Sequence, residues 1–334
     1  MFAKKIGIDL GSSSVRVYLR GEGIVVDEPS LAAIDVRSGR LVGLGGQARE
    51  AMRRTPRRIR LVRPVRAGAI ADLAVVERVL QHLVTRAQGR QRLFRPEVVI
   101  CVHAAATGDD RRALTQAAMS AGARQAWLIE APMADAMGIG LPVAEAAPHA
   151  VCDIGGGTTQ VAVISLSGVV AAQTVPVGGG LLDEAIATAV QRRHGVAIDA
   201  EAAEAVKLAV GAALPGGPPR AAEATGRGPA GDLAPVTVTS AEVSEAIQPP
   251  LRAIAATIRS TLEQTPSALA AQLEAAGLHL AGGGALLAGI DRYLARATGL
   301  MVTVAEDPRT CAVRGTRRAL GEYEVLQRRQ HYMR

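Results

Sequence analysis

Aromatic side chains are almost absent from this sequence of 334 residues, since Phe, Trp and Tyr together account for only 2% of it. A hydrophobic core must therefore be built from the aliphatic residues that dominate a hydrophobic fraction of 49%. With so few rings, the chain also has no basis for the base-stacking surface that single-stranded nucleic acids require. We expect no nucleic-acid partner.

Cysteines and long apolar runs are also scarce. The three cysteines, Cys101, Cys152 and Cys311, are far apart and form no CxxC or Cys/His motif, so neither a zinc site nor a disulfide framework is indicated. No stretch reaches the ~20 apolar residues that cross a bilayer. Asp9 interrupts the apolar segment behind the N-terminus, unlike an export signal. We expect a cytoplasmic protein whose membrane contact is peripheral.

The charge balance is basic. The formal net charge is +7, and Arg is far more frequent than Lys. Such a balance favours acidic partners such as phosphates and anionic lipids, although an Arg-rich solvated surface is the simpler explanation. At roughly 150 residues per domain, the length predicts about two domains.

Strand-like and helix-like segments alternate along the chain, which is typical of an α/β fold. One pattern occurs twice, in residues 6–15 (IGIDLGSSSV) and residues 151–161 (VCDIGGGTTQV). Each copy combines an apolar strand, an Asp, a Gly-rich turn with hydroxyl side chains and a second apolar strand, so we predict duplicated halves that face each other. Residues 214–235 are rich in Pro, Gly, Ala and Arg and predict a surface loop or an irregular edge.

The glycine-rich turns suit phosphate binding, because such a turn presents backbone N–H groups in a concave array and admits close approach. Asp9 and Asp153 would lie at strand ends, where one carboxylate on each side suits Mg²⁺ held by phosphate oxygens and water. A third turn, at 282–284, ends a strand and opens a helix, which suits a phosphate or an adenosine. Each turn alone is an ordinary β-turn or tight packing, whereas the three together favour a nucleotide site. No GxxxxGK[ST] motif is present, which excludes a Walker-type NTPase.

Further motifs extend this pattern at residues 23–30, 63–72, 121–124, 178–186 and 282–287. With the two Asp/Gly turns, they make the chain resemble the MreB family of bacterial actins, within the actin, sugar-kinase and heat-shock-chaperone ATPase superfamily. The match runs from residue 2 to about residue 320. The resemblance implies an actin-like ATPase fold of two duplicated domains, each a mixed sheet flanked by helices, with ATP and Mg²⁺ in the cleft between them.

The same resemblance implies four subdomains. Domain I is expected at residues 1–141, with a small subdomain at about 33–66. Domain II is expected at residues 142–308, with a small subdomain at about 181–245. Residues 309–334 are expected to return to domain I.

The resemblance also implies roles for individual residues. Asp9 is expected near the metal, through water, and Asp153 beside the attacking water as the catalytic residue. Glu204 and Lys207, in a Glu-x-x-Lys run on a predicted helix, are expected near the nucleoside, although the run also fits an ordinary surface ion pair. The residues expected to hold the nucleotide are Gly11, Ser12, Ser13, Ser14, Gly155, Gly156, Gly157, Thr158, Glu204, Lys207, Gly282, Gly283 and Gly284.

The chain departs from the family at the position of the catalytic glutamate. Relatives carry Ile-Glu-Glu-Pro where this chain has Ala131 before Pro132, and alanine neither accepts a proton nor positions water. Glu130 is one residue away, and on a helix that shift rotates the side chain by ~100°. Residues 102–107, Gln160 and Gly180 also differ. We therefore expect a divergent paralogue that binds ATP with slow or absent hydrolysis.

Leu93 and Phe94, between Arg92 and Arg95, match a loop that some MreB relatives insert into membranes. An apolar pair flanked by cations suits an anionic bilayer surface. The same pair also fits a cap on the hydrophobic core before the next strand.

The function that the resemblance implies is that of a cytoskeletal protein, peripheral at the inner face of the cell membrane. It would form homopolymer filaments and work with the cell-wall elongation machinery to determine cell shape. One alternative is a hydrolysis-deficient paralogue that acts as a static scaffold or modulator. Another, from a different class, is a small-molecule kinase of the same fold.

Overall fold

A computed structural model describes residues 3–89 and 94–332 of the chain. The first half contains one main sheet, two small sheets and four helices within these ranges. In chain order the elements are β1 (Lys5–Leu10), β2 (Ser14–Leu19), β3 (Gly23–Pro29), β4 (Ala32–Asp35), β5 (Leu41–Leu44), α1 (Gly46–Arg54), β6 (Ile59–Val62), β7 (Val65–Arg66), β8 (Ala69–Ile70), α2 (Leu73–Gln88), β9 (Glu97–Val102), α3 (Gly108–Ser120), β10 (Gln125–Glu130) and α4 (Ala131–Ile139).

The main sheet of the first half has the strand order β10-β9-β1-β2-β3. Strands β1, β2 and β3 form an antiparallel meander, and β9 and β10 extend it in parallel with β1. Helix α2 is capped by Asp72, whose side chain accepts the N–H of Val75, and this cap satisfies a free donor of the first turn. The helix buries Val76, Leu80 and Leu83 against the sheet, which explains why an aliphatic core suffices.

The second half repeats this plan. Its elements are β11 (His149–Ile154), β12 (Thr159–Ser165), β13 (Gly168–Val175), α5 (Gly179–His194), α6 (Ala200–Val210), β14 (Ala221–Arg227), β15 (Leu233–Thr239), α7 (Ser240–Ala246), α8 (Gln248–Glu263), α9 (Ser267–Ala276), β16 (Leu278–Ala281), α10 (Ile290–Thr298), β17 (Val302–Val304) and α11 (Cys311–Tyr332).

The main sheet of the second half has the order β13-β12-β11-β16-β17. It matches the first sheet strand for strand, with an antiparallel meander β11-β12-β13 and two strands parallel to β11. The predicted α/β fold with duplicated, facing halves is confirmed.

Helices α4 and α11 join the two halves. Helix α4 has Pro132 in its first turn and ends at Gly140 in a left-handed conformation, which are favourable residues at those positions. A separate core cluster contains residues of both helices and of both sheets, among them Met133, Met137, Val99, Val151 and Val313. The two helices thus form the shared wall between the halves.

The two wall helices touch at the backbone. A Cβ on Gly315 of α11 would overlap the carbonyl oxygen of Ala134, and one on Gly138 of α4 would overlap the carbonyl oxygen of Cys311. Only glycine permits this separation of the helix axes, because any side chain would push the backbones apart.

Two local expectations are wrong. Residues 214–235 are not irregular throughout, because β14 and β15 pair as a hairpin that packs Val236 and Val238 into the core of the second half. Pro and Gly residues flank the strands and obscure the alternation of exposed and buried residues along them. Helix α3 is capped by Thr107, in a capping box with Asp110. The turn at 282–284 opens a 3₁₀ helix (Gly283–Leu286) rather than an α-helix.

The proposed subdomain boundaries stay a prediction. Strands β4, β5 and β6 form a small sheet with α1, around Ala33, Ala48 and Ile59, and α11 packs on α4 and β1 of the first half. Within residues 3–89 and 94–332, no helix is both long and apolar enough to cross a membrane.

Replacing Gly315 by Ala should destabilise the protein. The added methyl group has no space at the α4–α11 contact, and overpacking of this kind costs about 1–3 kcal/mol. Gly321, on the same helix, has no atom near its Cβ position, so Gly321→Ala should leave stability unchanged or raise it by up to ~1 kcal/mol through helix propensity. Urea unfolding of the two variants measures the difference, and equal midpoints would contradict the proposed role of the contact.

Candidate functional site

The two Asp/Gly hairpins have the same local geometry. The N–H of Gly11 donates to the carbonyl of Ser14 at 3.0 Å, and the N–H of Gly155 donates to the carbonyl of Thr158 at 2.9 Å. In the β1–β2 register Asp9 lies opposite Arg16, and in the β11–β12 register Asp153 lies opposite Gln160. The repeat in the sequence is therefore a repeat in structure.

The two turns lie against each other. A Cβ on Gly156 would overlap the side chain of Ser13, and one on Gly157 would crowd Ser12. The β7–β8 turn joins them, because the N–H of Gly68 lies 3.4 Å from the hydroxyl oxygen of Ser12. Three backbone turns therefore converge at one place between the halves.

This convergence forms one wall of a cleft of ≈ 1670 Å³ between the two halves. Both Asp9 and Asp153 line it, together with Ala131 at the start of α4. It also contains all thirteen residues that the sequence assigned to the nucleotide, namely Gly11, Ser12, Ser13, Ser14, Gly155, Gly156, Gly157, Thr158, Glu204, Lys207, Gly282, Gly283 and Gly284. Their individual roles stay predictions.

Two partly buried carboxyl groups interact at the base of the cleft. Burial raises the pKa of Asp9 to about 6, although Arg16 lowers it. Burial and then the charge of Asp9 raise the pKa of Asp153 to about 7. Arg16 is the compensating cation, 3.8 Å from a carboxylate oxygen of Asp9 and 3.0 Å from one of Asp27. Such shifts are common where a site is built to receive a ligand.

Gln160 links the halves at the cleft base. Its amide nitrogen donates to Asp153 at 3.3 Å, and its amide oxygen accepts the backbone N–H of Ala104 at 2.8 Å. Ala104 belongs to the segment after β9, so this contact crosses from the second half to the first. At the cleft mouth, Arg49 of α1 and Glu201 of α6 form a second crossing contact at 3.1 Å.

Lys207 is not half of a surface pair with Glu204. Only 12% of its side chain is accessible to solvent.

The partner of Lys207 is instead Asp183 on α5. The ammonium nitrogen lies 2.7 Å from a carboxylate oxygen of Asp183 and donates to the carbonyl of Gly179 at 3.2 Å. Burial raises the pKa of Asp183 to about 6, although the hydrogen bond from Lys207 lowers it. The interpretation of Glu204 and Lys207 as an ordinary surface pair is therefore wrong, because the lysine is anchored inside the cleft.

Ala131 leaves the start of α4 without a polar side chain. Glu130, the last residue of β10, forms an ion pair with Arg111 at 2.7 Å. Among the residues that the structure describes, no group of three or more His, Cys, Asp or Glu side chains is arranged to hold a metal ion. A metal here would need ligands from a bound phosphate and from water.

Among the charged residues of the cleft lining that sequence reasoning did not assign are Arg16, Asp135 and Asp183. Arg16 follows from the β1–β2 register, because it is the cross-strand neighbour of Asp9. Asp183 stands within the segment 178–186 that carried the resemblance. The sequence signal for Asp135 was weaker. It lies four residues after Ala131 on one predicted helix, and so on the same helix face.

The predicted membrane pair is described only in part. Leu93 lies outside the described residues. Phe94 is 52% exposed, so its ring does not cap the hydrophobic core. Contact with a bilayer stays a prediction.

Replacing Asp153 by Asn should change how stability depends on pH. The pKa of Asp153 is about 7 in the folded protein against an ordinary value of 3.8, so the folded state binds more protons between these values. Its contribution to the free energy of unfolding therefore falls as pH rises from about 4 to 7, and Asn abolishes that loss.

Thermal unfolding of the two proteins between pH 5 and pH 8 measures this. The melting temperature of Asp153→Asn minus that of the parent should increase with pH. Asp109, exposed on α3, provides the control for the loss of a carboxylate outside the cleft. A difference that stays constant with pH would contradict the assignment.

Known proteins match this chain over nearly its whole length. A family model for the MreB/Mbl protein matches residues 3–328. Cell shape-determining protein MreB of Escherichia coli is 44% identical over 326 residues, which cover 96% of this chain and 94% of that protein. Cell shape-determining protein Mbl of Bacillus subtilis is 34% identical over 331 residues, or 99% of each chain.

A solved structure agrees in the arrangement of the whole chain. The crystal structure of MreB5 of Spiroplasma citri bound to ADP superimposes with a TM-score of 0.90 at 29% identity, covering 98% of both chains. The actin-like fold expected from the sequence is confirmed. With the family model matched across both halves of the cleft, the chain belongs to the MreB/Mbl family.

Proposed function

We propose that this chain is an ATP-binding, actin-like cytoskeletal protein that forms membrane-associated filaments and determines cell shape by organising cell-wall synthesis. The main support is the pair of matching hairpin turns that converge in one cleft between duplicated halves. Such turns supply backbone N–H donors to phosphate oxygens from both sides.

The cleft fits a magnesium nucleotide. Asp9 and Asp153 lie at the cleft ends of β1 and β11, and a few carboxylates with phosphate oxygens and water are the ligands that Mg²⁺ prefers. A bound magnesium ion would neutralise charge on the phosphates. Asp9 would hold it through water, and Asp153 would lie beside the attacking water.

The far side of the cleft fits the nucleoside. Glu204 and Lys207 project from α6, and the turn at 282–284 packs against Asp153 and Ile154. The Asp183–Lys207 pair holds the lysine in place. We assign this side to the adenosine and the hairpin turns to the phosphates. MreB5 of Spiroplasma citri, described with ADP bound, supports a nucleotide in this cleft.

Hydrolysis should be slow. Ala131 has no group to orient water, and the nearest glutamate, Glu130, is paired with Arg111. The alternative function of a static scaffold or modulator rests on this same substitution. A small-molecule kinase has less support, because the resemblance is to cell shape-determining proteins over the whole chain.

Nucleotide should drive assembly. With Mg-ATP and no sugar substrate, the protein should pellet on high-speed centrifugation, as a filament does and a kinase does not. Gly156→Ala places a methyl group against Ser13 and should reduce both nucleotide binding and pelleting by about tenfold, since the turns can no longer approach. Gly217 has open space at its Cβ position, so Gly217→Ala is the control. Pelleting that does not depend on nucleotide would favour the alternative function of a static scaffold.

The exposed ring of Phe94 should contribute to membrane binding. Anionic liposomes should co-sediment the parent protein, and the double variant Leu93→Ala/Phe94→Ala should lose most of this binding because the apolar insertion is removed. Leu233, 77% exposed on β15, provides the matched control. If Leu233→Ala has the same effect as the double variant, binding reflects general hydrophobicity and the loop has no special role.

A further inference from the structure

Asp135 of α4 carries a buried carboxyl group that the contacts of the described residues do not fully satisfy. Only 1% of the residue is exposed, and its Oδ2 atom has no hydrogen-bond partner within the described part of the chain. Burying a polar group without a hydrogen bond is costly, so an unpaired carboxyl in a native interior calls for an explanation.

The position of Asp135 supplies one. Helix α4 starts at Ala131, and Asp135 follows four residues later, which places both on one face of the helix, about 6 Å apart along its axis. Both residues line the cleft. Burial, and then the charges of Asp153 and Asp9, raise the pKa of Asp135 well above its usual range. The helix thus lacks a carboxylate at its first residue and presents one a turn deeper.

The described donors nearest to Asp135 are engaged elsewhere. The thiols nearby do not serve it, because Cys101 donates to the carbonyl of Ala312 and Cys311 to that of Asp307. The amide of Gln160 is engaged by Asp153 and Ala104. Within the described residues this leaves an enclosed water molecule as the partner that the carboxyl group could take.

We propose that Asp135 orients the water that attacks the terminal phosphate of ATP, the task for which Ala131 has no side chain. This inference rests on the proposed binding of ATP in the cleft. The water oxygen forms a bond to the terminal phosphorus while the bond from that phosphorus to the bridging oxygen of ADP breaks. The proton released by the water passes to the Asp135 carboxylate. Asp135 is therefore the source of the slow hydrolysis that the chain retains.

The test compares Asp135→Asn, Asp135→Ala and the double variant Ala131→Glu/Asp135→Ala with the parent. Two quantities are measured: single-turnover release of phosphate from Mg-ATP, and the affinity for a non-hydrolysable ATP analogue. Loss of Asp135 should lower the rate of phosphate release about tenfold or more, with the affinity for the analogue changed less than about twofold. The double variant should recover the rate, because the glutamate restores a water-orienting group at the start of α4.

The nucleotide-free protein supplies an independent readout. Because the buried carboxyl is unpaired there, Asp135→Ala should raise the melting temperature, as is common for residues kept for function at a cost in stability. Ser244, buried on α7 with its hydroxyl also without a partner among the described residues, is the matched control. Ser244→Ala should not change phosphate release.

Three results would overturn the proposal: phosphate release by Asp135→Asn at the parent rate, no phosphate release by a parent protein that binds the analogue, or a lower melting temperature for Asp135→Ala. Failure of the parent to bind the analogue is a separate result. It would overturn the proposed ATP binding itself, and the role of Asp135 with it.

Discussion

The backbone contact between α4 and α11 is the constraint on which the cleft depends. These helices separate the two main sheets, and each sheet ends in one of the glycine hairpins. Because Gly138 and Gly315 let the helices touch, the sheets approach closely enough for Gly156 to lie against Ser13. A wider wall would hold the two turns apart, and a phosphate chain could no longer contact both.

Much of this architecture was predictable from the sequence. The repeated strand–Asp–Gly turn specified both hairpins, since a glycine turn between apolar strands has few other solutions. Its recurrence half a chain away predicted the facing halves. The residues assigned to the nucleotide converge for the same reason: they stand at the ends of strands, and strand ends of a duplicated sheet meet at one edge.

What the sequence did not reveal depends on contacts between distant segments. The pairing of Lys207 with Asp183 joins two helices whose packing no local pattern encodes, so the nearer Glu204 was the natural partner to expect. The bridge from Gln160 to Ala104 requires the docking of one half on the other. The β14–β15 hairpin was missed because Pro and Gly at its flanks resemble those of a loop, whereas its burial on one face appears only after folding.

The two contacts that cross the cleft differ in kind. Arg49 and Glu201 meet at the mouth with side chains 50% and 75% exposed, so their attraction is weak and is screened by dissolved ions. The amide of Gln160 at the base is uncharged and partly enclosed, so dissolved salt should scarcely weaken its hydrogen bonds. Ionic strength should therefore change how far the cleft opens at its mouth. The uncharged contact at its base should keep the two halves aligned at any salt concentration.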